Sequence, residues 1–323
     1  MRAIVPVLAA LAVILAGFAV TPAAADGVKV TPLGLIKGEF CKFDRAMIFE
    51  DPGGTRILYD PGRTVAGAND PRLGRIDVIL ASHMHGDHVG DKHQPKPNAG
   101  TCGNPDLSAG ALPNTNLVNI ALAKGATIVT GSEMPKFFAT KLMALGGDPK
   151  QSQLARFSSS REFGGVKITT VPAAHSNAVN PAMIGGELGD LLAAAGLGAY
   201  VGPPTGYVLT FTNGLVVYLS GDTGITAEQD SVVRHHYHAK LAVMNIGDVF
   251  TTGPNEAAYV INEMVRPISV IPSHANEVAT KNGIVIAGSK TDTFIQAVNV
   301  PAHVPLSERT MTFDRYGNCV DGC

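Results

Sequence analysis

The chain has 323 residues, 45% of them hydrophobic and 16% charged, with 25 basic against 27 acidic side chains and a formal net charge of −2. That is ample apolar material for one large core, and the slight acidic excess gives no support to a basic nucleic-acid-binding surface. There is no internal repeat and no long charged or low-complexity tail.

At the N-terminus, Met1-Arg2 precedes an apolar run from Ile4 to Val20 and then Thr21-Pro22-Ala23-Ala24-Ala25-Asp26. This reads as a secretory signal peptide, residues 1–25, cleaved after Ala25, which leaves residues 26–323 as one domain. A run of 17 apolar residues interrupted by Pro6 and Gly17 is short for a membrane span, which takes about 20, so no stable membrane anchor is expected. The first cysteine after the run is Cys41, which argues against a lipid anchor. The expected location is periplasmic or secreted. Removing residues 1–25 takes away Arg2 and no acidic residue, so the mature balance is 24 to 27, or −3.

Segments 28–33, 39–49 and 56–59 read as an opening antiparallel sheet, closed by Asp60-Pro61-Gly62. The apolar run Ile76–Ala81 then leads into Ser82-His83-Met84-His85-Gly86-Asp87-His88. Three imidazoles and a carboxylate in six residues at a strand end point to a metal site. Burying each imidazole without a partner would cost on the order of 1–3 kcal/mol, whereas nitrogen and oxygen donors converging in a turn suit Zn²⁺, Fe²⁺ or Mn²⁺. Asp91 to Pro113 follows, rich in Pro, Gly and Asn, and reads as an insertion. Helices are expected at 116–124, 133–144, 227–236 and 255–265, alternating with strands around Ile128, Val208, Val216, Leu241 and Val270.

Three more strand ends carry metal-binding residue types: 166–174 ends in His175-Ser176, 215–219 ends in Ser220-Gly221-Asp222-Thr223, and 268–273 ends in His274. Each alone reads as a turn residue, but in this order they form a pattern. A second insertion, Asn177 to Pro204, follows His175. Both insertions follow closely on candidate ligands, so both are expected to wall the site and set substrate choice, the apolar second one favouring an uncharged or acyl-bearing substrate.

The order H-x-H-x-D-H, a distant His, G-D-T and a final His resembles the metallo-β-lactamase superfamily of metal-dependent hydrolases, over about residues 28–280. Asp87–Asp91, Pro172–Ser176, Tyr218–Thr223, Phe250–Ala257 and Val270–His274 are most similar to its L-ascorbate-6-phosphate lactonase-like branch. The resemblance implies an α/β fold, a four-layer αββα sandwich. It implies one divalent ion on His83, His85 and His175, a second on Asp87, His88 and His274, and Asp222 bridging them. Zinc is the first expectation for both ions, with manganese or iron as alternatives. The implied mechanism is attack by a metal-bound hydroxide on a carbonyl or phosphoryl centre, with Asp87 as a candidate proton acceptor. Asp60 sits where the superfamily often buttresses a ligand.

The expected reaction is hydrolysis of a lactone or similar cyclic acyl or ester bond in a small molecule. The alternatives are a phospholipase D-like phosphodiesterase, a β-lactamase and, from another class, a non-catalytic metal-binding module. Export argues against a phosphorylated intracellular sugar. The first insertion offers only Lys92 and Lys96 as cations for a phosphate, which leans toward acyl substrates.

The four cysteines, an even count in an oxidising compartment, make disulfides plausible; they allow three pairings, of which Cys319–Cys323 as a short C-terminal loop with Cys41–Cys102 as a long-range staple is favoured and the other two stay open. His235, His236 and His238 read as a solvated helix end, His93 as structural or solvent-facing with a contact to substrate as the alternative, and His303 as a surface residue. Asn276 and Glu277 are candidates for contacting substrate or orienting His274, and Asp248 for a proton donor or a turn.

Overall fold

The computed structural model describes Met1 and residues 26–323; the expected signal peptide therefore lies outside the described residues. Fourteen strands build two main sheets. In chain order they are β1 (Val28–Pro32), β2 (Met47–Glu50), β3 (Arg56–Tyr59), β4 (Val78–Leu80), β5 (Thr127–Thr130), β6 (Ser152–Leu154), β7 (Ser160–Phe163), β8 (Val166–Pro172), β9 (Thr205–Thr210), β10 (Val216–Leu219), β11 (Leu241–Asn245), β12 (Ser269–Ser273), β13 (Met311–Phe313) and β14 (Cys319–Asp321). The first sheet has the order β14-β13-β1-β2-β3-β4-β5-β6, and the second β12-β11-β10-β9-β8-β7.

Alternation along the strands decides the layers. Val30, Phe49, Ile57 and Tyr59 of the first sheet face Ile168, Tyr207, Leu209, Leu219 and Val243 of the second in one buried cluster between the sheets. The opposite face of the first sheet, Ile48, Leu58, Ile79 and Ile128, packs on α1 (Asn116–Lys124) and α2 (Met134–Ala144) through Leu117, Ile120, Phe138 and Leu142. The outer face of the second sheet, Val208, Tyr218, Ala242 and Val270, is covered by helical segments through Val233, Val260, Ile261 and Phe294. The result is the expected four-layer αββα sandwich.

Strand direction gathers the site. β3 and β4 run parallel, as do β10, β11 and β12. β8 pairs antiparallel with β9, and β9 antiparallel with β10, so β8 runs parallel to β10. The C-terminal ends of all these strands therefore open on one edge of the sandwich, where loops converge. Two bonds knit the sheets there: the Tyr207 hydroxyl donates to the Ala81 carbonyl at 2.7 Å, and Thr205 N–H donates to the Ser82 carbonyl at 2.8 Å.

Several sequence expectations need correction. The strand expected over 39–49 is only Met47–Glu50; residues 39–46 form a loop folded on the buried Asp44 carboxylate, which accepts the Leu35 and Cys41 N–H groups at 2.9 and 2.8 Å. Those side-chain bonds compete with a ladder and win. The helix expected over 227–236 is a π-helical turn, Gln229–Arg234, and the one over 255–265 is α-helical at Pro254–Tyr259 and π-helical at Val260–Val265. A helix at Lys290–Ala297 and the two last strands of the first sheet were not foreseen.

The disulfides are Cys41–Cys102 and Cys319–Cys323. The first ties the 39–46 loop to the first insertion across a sequence separation of 61, and the chain-entropy argument for a loop of that size gives up to about 4 kcal/mol. Replacing Cys102 by Ser is expected to lower the unfolding free energy by that order in urea titrations, with Cys319→Ser costing clearly less.

Candidate metal centre

The His-rich turn is held by specific partners. Gly62 takes a left-handed φ of +47°, and a Cβ there would collide with the Asp87 carbonyl, so the β3 turn can pass close beneath the turn that carries the imidazoles. The Asp60 carboxylate accepts Ser82 N–H at 2.8 Å and the Ser82 hydroxyl at 2.7 Å, and lies 2.7 Å from His88 Nδ1. Asn177 accepts Met84 N–H at 2.9 Å, fixing the middle of the turn to the second sheet's side of the cleft. Asp60, His274 and Asn276 all have left-handed backbone, with φ of +41°, +52° and +53°, a concentration of strain that only a well-determined surrounding structure sustains.

All seven residues of the sequence pattern come together. One group is His83, His85 and His175; another is Asp87, His88 and His274; a third is His83, His88 and Asp222. A single Asp222 oxygen, Oδ2, lies 3.8 Å from His83 Nε2, 3.8 Å from His175 Nε2, 3.2 Å from His88 Nε2 and 3.0 Å from His274 Nε2. It thus stands between the two groups.

The donors suit a cation. Bonds of about 2.0–2.1 Å around a tetrahedral ion put neighbouring donors roughly 3.3–3.4 Å apart, and His85 Nδ1 and His175 Nε2 are 3.3 Å apart. His83 Nε2 is buried without a hydrogen-bond partner, an expensive state for a polar atom unless something binds it. Burial, then the neighbouring His88, holds His83 well below the usual imidazole range, and burial with His88 and His175 brings His85 down to about 4. Burial also lowers His175. These three rings are neutral near pH 7, the form that ligates. Burial would raise Asp222, but His274 and His88 hold it well below the usual carboxylate range.

The second group differs. Burial opposes charge on His88, yet Asp222, Asp60 and Asp87 push it up to about 10. Burial likewise opposes charge on Asp87, yet Arg45, then His88, keep it well below the ordinary carboxylate value. Sequence reasoning missed Arg45. Its side chain is 2% exposed, and its Nη1 forms an ion pair with Asp87 Oδ2 and lies 3.3 Å from His88 Nε2. The only sequence signal was a charged pair, Asp44-Arg45, within an apolar segment.

The centre opens into a cavity of about 560 Å³ lined by Lys42, Phe43, Arg63, Asp248, Phe250 and Asn276 together with site residues. Neither insertion contributes to this lining, which corrects the expectation that 91–113 and 177–204 wall the site. They pack instead as a short hairpin tied to Cys41 and as helix α3 (Gly186–Ala194) beside a two-stranded ribbon. The cations at the cavity are Lys42 and Arg63, not Lys92 or Lys96. Arg63 is committed to Asp91 through two bonds of 2.8 Å and lies against the Phe43 ring.

Other expectations resolve simply. The Glu277 carboxylate accepts Lys290 and Thr291 N–H at 3.0 and 2.9 Å, so it caps the helix Lys290–Ala297 and does not orient His274. Asn276 and Asp248 do line the cavity. His93 Nδ1 bonds the Gln94 carbonyl at 2.8 Å, and His93 is not among the residues that line the cavity. His303 is half-buried against Phe313, and although it lies near Cys319 and Cys323, those sulfurs are bonded to each other. Among the described residues no helix is long and apolar enough to cross a membrane.

Comparison with known proteins supplies the context. Residues 44–274 match the family described as a beta-lactamase superfamily domain. A UPF0173 metal-dependent hydrolase from Cupriavidus metallidurans is 30% identical over 241 residues, covering 69% of this chain and 67% of the relative. Among solved structures, the metallo hydrolase Igni18 from Ignicoccus hospitalis superposes with a TM-score of 0.57 at 21% identity, covering 89% of this chain and 99% of that one. The metallo-beta-lactamase fold protein YhfI from Bacillus subtilis superposes with a TM-score of 0.54 at 13% identity, covering 89% and 100%. These two likenesses concern the fold.

Proposed function

From the premise that the chain belongs to the metallo-β-lactamase superfamily of metal-dependent hydrolases, we propose that it hydrolyses a lactone or a similar cyclic acyl or ester bond in a small molecule. The observation that carries this reading is the cluster of three buried or half-buried imidazoles, His83, His85 and His175, at an open cavity, with one Asp222 oxygen 3.8 Å from both His83 Nε2 and His175 Nε2 and His85 Nδ1 3.3 Å from His175 Nε2. These four would hold a divalent ion, zinc first. When bound, such an ion lowers the pKa of water enough to supply a nucleophile near neutral pH and polarises the carbonyl under attack.

The chain's own residues do the rest. Asp222 and the neutral imidazoles would hold the ion; Asp60, bonded to Ser82 and His88, fixes the turn that carries two of those imidazoles. Phe43 and Phe250 give the cavity apolar walls for the acyl portion, and Lys42 is free to meet a carboxylate on the substrate. Asp87, ionised beside Arg45, is the candidate proton acceptor. The two disulfides fit an exported enzyme.

A second reading, a phosphodiesterase, is favoured by one specific observation, the cations Lys42 and Arg63 at the cavity. A panel of lactones, carboxyl esters, β-lactams and phosphodiesters, run on zinc-loaded and chelated protein, separates them. Turnover on lactones and Lys42→Ala affecting KM is expected; turnover on phosphodiesters alone replaces the first reading with the second. No turnover in any class, with metal bound, favours a binding role.

Chelation is expected to abolish hydrolysis and zinc to restore it. Removing an ion present at about 100 times its Kd costs roughly 2.7 kcal/mol, so the thermal midpoint should fall by roughly 4 °C. An unchanged midpoint and unchanged turnover after complete chelation would contradict a metal-dependent reaction.

A further inference from the structure

We propose that Arg45 supplies the positive charge at Asp87, His88 and His274 in place of a second metal ion, so that the chain binds one divalent ion, on His83, His85, His175 and Asp222. This rests on the metal site proposed above and departs from the two-ion expectation drawn from the sequence.

The geometry is specific. A second ion would need Asp87 Oδ2, the oxygen 3.6 Å from His274 Nε2 and 3.9 Å from His88 Nε2. Arg45 Nη1 already donates to that same oxygen and sits 3.3 Å from His88 Nε2. A guanidinium stays protonated at any physiological pH, and this one cannot leave: its side chain is 2% exposed and its root lies in the loop anchored by Asp44 and the Cys41–Cys102 disulfide.

Arg45 Nε and Nη2 are buried with no hydrogen-bond partner, so Asp87 is the side chain that compensates the buried guanidinium directly. An ion that took Asp87 would take the guanidinium's ion-pair partner and set it beside a second positive charge. The His83, His85 and His175 group has no guanidinium against it: the side chains within hydrogen-bond or ion-pair distance of it are the Ser82 and Ser176 hydroxyls and the Asp222 carboxylate. One fold edge therefore offers one open cation site and one already served by the chain itself.

The test is zinc stoichiometry, read by equilibrium dialysis and elemental analysis on the full mature chain. The wild type is expected to hold one zinc per chain and Arg45→Met two, with the second equivalent bound at least 100-fold more tightly than in the wild type. His83→Ala in the wild-type background is expected to lower the count to zero. Two zinc ions of similar affinity in the wild type overturn the inference without touching the hydrolase reading. A count of one in folded Arg45→Met does the same. Should Arg45→Met fail to fold, Arg45→Gln and the wild-type count decide. No bound zinc in the wild type overturns both this inference and the metal site.

Discussion

Asp222→Ala is expected to lower kcat/KM by on the order of 10³-fold or more, because removing the metal's contribution forfeits several kcal/mol of transition-state stabilisation and each 1.36 kcal/mol is tenfold. The reason lies in one atom. Asp222 Oδ2 is within 3.0–3.8 Å of four imidazoles, so its loss removes the carboxylate that joins the two groups. The remaining rings would still be preorganised by Ser82 and Asp60, and zinc affinity should fall together with turnover. The side chain is buried, so circular dichroism must accompany the assay to separate lost chemistry from lost fold. A folded variant retaining activity within tenfold of the wild type would remove Asp222 from the centre.

Asp60→Ala is the second large effect, and it acts without touching the ion. Its two oxygens take Ser82 N–H, the Ser82 hydroxyl and His88 in a fully buried cluster. Removing one partner of a buried ion pair costs about 3–5 kcal/mol, and loss of a group that orients metal-binding residues typically costs about 10–100-fold in metal affinity. Both should appear, as a lower midpoint in urea and as weaker zinc binding. Asp60→Asn separates them: its amide keeps the shape and an acceptor for Ser82 but loses the charge facing His88. Zinc affinity unchanged in a folded Asp60→Ala would make this residue a stability element only.

The centre was legible in the sequence because its residues follow directly on apolar strands. The run Ile76–Ala81 delivers His83 to His88, and parallel strand ends bring His175, Asp222 and His274 to the same edge despite separations of up to 191 residues between His83 and His274. Periodicity 2 and strand-end chemistry carry that information locally. Arg45 was not legible for the converse reason. The segment 39–46 holds its shape through Asp44 bonds and a disulfide, neither of which leaves a periodic trace, and it reads as strand by composition.

The cavity wall was misread for a related reason. Nearness in sequence to a candidate ligand suggested that the insertions at 91–113 and 177–204 would cover it, but each folds back on its own ribbon or helix, while residues 42–43 and 248–250 arrive from distant parts of the chain. Glu277 follows His274 closely in sequence, yet its carboxylate is spent on capping the helix at Lys290. Long-range packing sets these outcomes, and no local pattern reports it.

The most direct measurement is anomalous diffraction from zinc-loaded crystals at the zinc edge. A peak within about 2.0–2.2 Å of nitrogens from His83, His85 and His175 and of an Asp222 oxygen is the predicted result. A strong peak elsewhere on the chain, with these four residues showing none, would contradict the metal centre and the hydrolysis built on it.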